Sequence, residues 1–127
     1  MIYETGAVLV SALKETGLFR RVSLISGMDE NDQETSGEPS AKVLFVSEQS
    51  SSIGGRMGRE LVYSIVLRTV SLGRDGDAFK RGADLIDSSL AALLSLPVIS
   101  WSVEEASADK RSRSWRINVV IRRSFGG

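Results

Sequence analysis

Ten residues, SSIGGRMGRE (51–60), carry three glycines and two arginines behind a pair of serines. This is the composition of a loop that cradles phosphate: glycines let backbone N–H groups converge on an anion, and basic side chains neutralise it. Such a loop needs a strand before it and a helix after it, because the helix N-terminus supplies free N–H groups and a positive dipole end. The residues that follow here, ELVYSIVLRTVSL (60–72), alternate with period two and read as a strand. The lysine–serine ending of a nucleotide loop is absent as well. The stretch is therefore the tip of a hairpin, glycine-rich over 50–59. Apolar Ile53 and Met57 on such a tip need a cover. Either a partner supplies it or they fold back on their own sheet. Together with Arg56 and Arg59, which would fix a partner's register, they form the candidate partner contact.

The remaining chemistry is sparse. The chain has no cysteine and no histidine, which excludes disulfides, thiolate chemistry, His-based triads and the usual zinc sites. Glu104 and Glu105 are neighbours on a strand and point to opposite faces, so they cannot act as an acid–base pair. Asp84 and Asp87 lie one helical turn apart and read as a solvated face. RSRSWRINVVIRR (111–123) holds five arginines around a tryptophan and no acid. Single-stranded bases stack on such residues, but Trp115 falls on the apolar face and reads as core. No catalytic residue, cofactor site or metal site emerges.

These residues must be positioned by a single domain spanning all 127 residues, a length that supports a core without staples. Leu9, Val10 and Leu13 give helical spacing over residues 3–16, and Gly17 suits the residue after the helix. LFRRVSLIS (18–26) reads as a strand with Leu18, Val22 and Leu24 on one face. GMDENDQETSGEP (27–39) holds five acids and no base and reads as a solvated, mobile loop. AKVLFVSEQ (41–49) is the next strand. In 60–72, Leu61, Tyr63, Ile65 and Leu67 face one way and Val62, Val66 and Val70 the other, as in a central strand. After GRDGD, with Asp75 or Asp77 as N-cap, comes an amphipathic helix with Phe79, Ala83, Ile86, Leu90, Leu93 and Leu94 on its apolar face. Pro97 ends it. Strands 98–106 and 114–125 close the chain as a hairpin, with Trp101 expected opposite Ile117 and Val103 opposite Trp115. The expected fold is α+β in the order α-β-β-β-α-β-β, a mixed or antiparallel sheet with two helices packed on one face.

Sixteen basic and sixteen acidic residues leave no net charge, so no global field draws nucleic acid or an anionic membrane. No apolar run reaches the ~20 residues that span a bilayer. The start MIYETGAVLVSALKETG lacks a basic region and reads as a helix, not a signal peptide, so the chain is expected to stay in a cytoplasm. Charge is nonetheless segregated, acidic at 29–38 and basic at 110–123. Unlike patches suit head-to-tail association, and Arg113, Arg116 and Arg122 are the candidate subunit-interface residues.

In order and length the whole chain resembles the tail terminator (tail completion) proteins of long-tailed bacteriophages, the lambda-type family and its relatives in Mu-like prophages. The likeness lies in the N-terminal helix ending KETGLFRRV, the polar excursion before AKVLFVSE, the strand ELVYSIVLRTV feeding the helix DAFKRGADLIDSSLAALLSL, and the final hairpin ending WRINVVIRRSF. It implies a structural virion protein and not an enzyme. Such a protein forms a ring, usually a hexamer, that caps the tail tube at the head-proximal end, stops its polymerisation and then joins the head connector. DNA passes through the lumen without specific contacts, no membrane is involved, and assembly takes place in the host cytoplasm. Similar folds occur in head–tail connector or neck proteins, which is the second reading. A nucleic-acid-binding module using the C-terminal arginine hairpin is the third.

Overall fold

The computed structural model describes residues 1–25, 39–53, 56–70, 75–108 and 112–124. Helix α1 (Ile2–Glu15) is followed by strands β1 (Arg21–Ile25), β2 (Ser40–Ile53) and β3 (Arg56–Val70). Helix α2 (Asp75–Leu93) and strands β4 (Val98–Ala108) and β5 (Ser112–Ser124) complete the chain. The fold is α+β in the expected order. Of the acidic segment expected to loop over 27–39, all but Pro39 lies outside the described residues. No helix among the described residues is long and apolar enough to cross a membrane.

The five strands lie in the order β1-β2-β3-β5-β4. β1 runs parallel to β2, and every other neighbouring pair is antiparallel. β3 is central, as its two-sided alternation predicts. Leu61, Tyr63, Ile65 and Leu67 are fully buried on one face, and Val62 and Val66 are half-buried on the other. Registered beside the first set are Ala41 and Val43 of β2 and Trp115, Ile117, Val119 and Ile121 of β5, all buried. Fully burying an aliphatic side chain is worth about 1.5–3 kcal/mol, so this face holds most of the stability.

Both helices cover that face. α1 ends as its sequence dictates: Gly17 takes φ +70°, a conformation that strains any side chain. The Thr16 hydroxyl donates to the Leu13 carbonyl at 2.6 Å and accepts the Leu18 N–H at 3.2 Å. α1 buries Leu9 and Leu13 and touches β1 and β2, while α2 lies over β3 and β5. Each helix sits down on the sheet through a glycine. A Cβ on Gly6 would come 2.8 Å from a Leu24 methyl and 3.4 Å from the Tyr63 ring, and a Cβ on Gly82 would come 2.1 Å from the Trp115 indole. The Tyr63 hydroxyl donates to the Ile2 carbonyl and ties α1 to the central strand. Burial pushes the Tyr63 phenol above its ordinary pKa. Trp115 is core, as its face predicts.

Three expectations need correction. α2 starts at Asp75, so Asp75 and Asp77 both lie in its first turn and neither is the N-cap. Phe79 and Leu94, assigned to the apolar face of α2, are 58% and 49% exposed. The closing hairpin is registered two residues away from the expected pairing: Trp101 lies opposite Val119, Val103 opposite Ile117 and Glu105 opposite Trp115. The face of each residue is unchanged, because a slip of two preserves the side-chain parity. Trp101 is nevertheless 49% exposed and Ile99 51% exposed, since α2 covers β5 and stops short of β4.

Gly82→Ala is expected to destabilise the fold. The new methyl meets the flat indole of a buried tryptophan, and overpacking of this kind costs about 1–3 kcal/mol, against up to ~1 kcal/mol regained in helix propensity. Gly6→Ala should cost less, because the nearest atoms are the mobile ends of Leu24. Denaturant unfolding of the two variants checks the order; a Gly82→Ala protein as stable as the parent would show that α2 does not rest on Trp115.

Candidate functional site

The β2–β3 hairpin carries the residues singled out from the sequence. Its ladder continues through the stretch read as a loop: Ser50 pairs with Arg59, Ser51 with Gly58, Ser52 with Met57 and Ile53 with Arg56. Only Gly54 and Gly55 separate the last pair, a dipeptide suited to the tight turns that join antiparallel strands. The tip expected over 50–59 is thus mostly paired strand. Among the described residues β5 accompanies β3 as far as Gly58, opposite Ser124. The β2–β3 ladder itself runs on as an arm to Ile53 opposite Arg56, with Met57 58% exposed on it.

Two polar contacts fasten the base of the arm, one on each face. On the helix side the Arg59 guanidinium grips the Glu48 carboxylate with two hydrogen bonds, one from Nε to Oε2 at 2.5 Å and one from Nη2 to Oε1. On the open side Gln49 Nε2 donates to Glu60 Oε2 at 2.8 Å, between residues directly opposite in the ladder. The paired guanidinium holds the Glu48 carboxyl below its ordinary pKa through hydrogen bonding, and partial desolvation opposes this only in part. The same contact raises the pKa of Arg59. Arg59 is therefore a brace within the hairpin, where the sequence suggested a residue offered to a partner. Once the glycine pair is taken as the turn, the register follows, and Gln49 opposite Glu60 is legible from it. The Glu48–Arg59 diagonal was the contact that sequence reasoning missed.

The arginines of β5 also meet acids of their own sheet. Arg113 lies 3.9 Å from Glu105 and Arg116 lies 3.6 Å from Glu104, while Arg122 sits in register opposite Glu60. Glu104 and Glu105 take opposite faces, as expected. Partly exposed pairs of this kind contribute roughly 0–1 kcal/mol. They are weak, but they offset much of the basic field expected from the C-terminal strand.

A cleft of about 290 Å³ opens between α2 and the ends of β2 and β3, lined by Leu18, Pro39, Thr69, Arg81, Asp84, Leu85 and Ser88. The buried Thr69 hydroxyl has no hydrogen-bond partner. Asp84 and Asp87 are exposed, as read from the sequence, and Asp84 stands at the rim of this cleft. The described residues contain no group of three acids placed to hold a metal. No protein-family model matches the chain, and no curated protein matches it either.

Glu48→Gln is expected to lower stability at neutral pH, and the loss should fade in acid. A carboxylate whose pKa is lower folded than unfolded contributes fully above its unfolded value, ~4.3. That contribution declines as pH falls through the lowered folded value. Unfolding curves of parent and variant at about pH 7 and in strong acid should therefore converge on acidification. A gap that stays constant would show that the Glu48–Arg59 pair adds nothing electrostatic.

Proposed function

We propose that this chain is the structural subunit of a ring that caps a phage tail tube, ends its growth and presents a surface for head joining. The observation that carries the reading is the braced β2–β3 arm, whose ladder runs to Ile53 opposite Arg56 with Met57 exposed, on a fold of the order α-β-β-β-α-β-β. The resemblance of the whole chain to tail terminators supplies the setting. A cap must bind the open end of a tube and offer no equivalent surface above it. Several identical arms on one ring would bind together, each weakly and all of them tightly, because linked contacts raise effective concentration. The ring would be a homo-oligomer, usually a hexamer in the family resembled, placed at the head-proximal end of the tail. Its neighbours would be the tube protein and the connector, and DNA would run through its lumen.

For a nucleic-acid module the working residues would be the β5 arginines, and Arg113, Arg116 and Arg122 face acids across the sheet. A connector acts after tails are finished, so its loss leaves tails of normal length without heads.

Replacing Ile53 and Met57 by Ser in the phage should leave the subunit folded and the ring formed, and should give tails of irregular, excessive length that fail to join heads. Tail lengths in electron micrographs read the outcome directly. Tails of normal length from this variant would remove the arm from the capping contact. Tails of normal length from a deletion of the whole gene would overturn the terminator reading.

A further inference from the structure

On the helix side of the sheet, α2 separates a projecting side chain from a cleft. Trp101 stands on β4 opposite Val119, past the cover of α2, and is 49% exposed. The cleft of about 290 Å³ lies on the other flank of α2, where Leu18 precedes β1 and Pro39 precedes β2, and these two with Leu85 form its apolar walls. Its polar groups are unsatisfied. The Thr69 hydroxyl is buried and has no hydrogen-bond partner. Arg81 and Asp84 are exposed at the rim, one helical turn apart. Among the described residues neither has an ion-pair partner, not even the other. Within one chain the two features are too far apart to meet. Trp101 shares a row of the sheet with Val119 and Tyr63, and Thr69 lies six residues further along β3, roughly 20 Å at the rise of a strand.

We propose that the cleft of one subunit receives Trp101 of the next. The inference rests on the ring reading and names the contact that joins its subunits. The chemistry of the cleft selects the occupant. Its walls shelter an apolar body, its unpaired oxygens call for a donor, and its unpaired guanidinium stacks on an aromatic face. An indole supplies all three: a large apolar ring, an N–H that only donates, and the π face that best attracts a cation. Phe79, more exposed than Trp101 at 58%, has no donor. A second copy is the source, because the tryptophan and the cleft lie on opposite flanks of α2 in the same chain. Contact between two unlike surfaces of identical chains runs head to tail, and closes into a ring where the rotation permits. Size points the same way. A buried aromatic covers about 150–250 Å², well short of the ~800 Å² a side of a standard stable interface. A lone pair of subunits held by this anchor is weak, whereas in a closed ring every subunit makes the contact twice.

Tryptophan emission tests the docking on the full chain, since Trp115 is buried in the core and Trp101 is the only other indole. As the parent is concentrated into rings, its emission should move to shorter wavelength and iodide should quench it less. Trp101→Ala removes the projecting ring, and Ser88→Arg places a long side chain in the cleft from an exposed helix position. Each variant should stay folded by thermal unfolding and sediment as monomer where the parent forms rings, with association about tenfold weaker or more. Ser88→Arg keeps the tryptophan and Trp101→Ala keeps the cleft. Titrating Trp101→Ala into concentrated Ser88→Arg should therefore shift the Trp101 emission saturably and give a pair with one copy of each, never a ring. If one variant fails to fold, the other and the emission of the parent still decide. Parent rings with unshifted emission, a folded variant that forms rings like the parent, or a mixture that never shifts overturns the docking and leaves the ring reading standing. A parent that is monomeric at every concentration, or that stops at a two-fold dimer, overturns both.

Discussion

The fold depends on two helices lying against the sheet at distances that leave no room for a side chain. Gly82 lies directly over the Trp115 indole, and Gly6 lies over Leu24 and Tyr63. Once the helix backbones are that close, the layer between them and the sheet is thin. Leu61, Tyr63, Ile65 and Leu67, with Ile117 and Val119 beside them, are fully buried in it together with Leu9 and Leu13 of α1 and Leu93 of α2. The hydrogen bond from Tyr63 to the Ile2 carbonyl fixes where α1 begins along the central strand. The same closeness limits how much sheet two helices can shelter. α1 takes β1 and β2, α2 takes β3 and β5, and the fifth strand projects past the cover with Ile99 and Trp101 on it.

That arrangement explains what the sequence reveals and what it hides. Side-chain alternation alone identifies β3 as central and Trp115 as core, because burial on a given face depends only on parity. It cannot separate two registers of the closing hairpin that differ by two residues. The β4–β5 register is set by backbone events that leave no periodic trace: two bulges in β4, and the Arg122 N–H donating to the Pro97 carbonyl at 3.2 Å. Nor does parity report width. Trp101 has the face of a core residue and the exposure of a surface one, since the helix layer ends before it. The arm was underestimated for a related reason. Serine and glycine weigh against strand, but Ser50–Ser52 and Gly58 are held in the ladder by their neighbours.

Charge seen along the chain is equally deceptive. The β5 segment reads as a basic patch in sequence, yet Arg113, Arg116 and Arg122 lie across the sheet from Glu105, Glu104 and Glu60, which come from two other strands. Folding thus offsets part of the segregation seen along the chain.

The braced arm bears on how a weak contact becomes a selective one. A glycine-rich loop that ordered only on binding would lose conformational entropy at each site, and ordering each immobilised side chain alone costs about 0.5–1.5 kcal/mol. The Glu48–Arg59 and Gln49–Glu60 contacts hold the base of the arm in its ladder before any partner arrives. Most of the ordering cost therefore falls on folding and not on binding. Rigidity also ties affinity to geometry. Stiff arms at fixed spacing engage together only on a partner whose sites repeat at that spacing, and multivalent gain vanishes where they cannot. In the ring proposed for this chain, such arms would distinguish the end of a regular assembly from a free subunit of it without any difference in the local contact. The discrimination would reside in the number of arms that land at once, and so in whatever fixes one copy of this sheet beside the next.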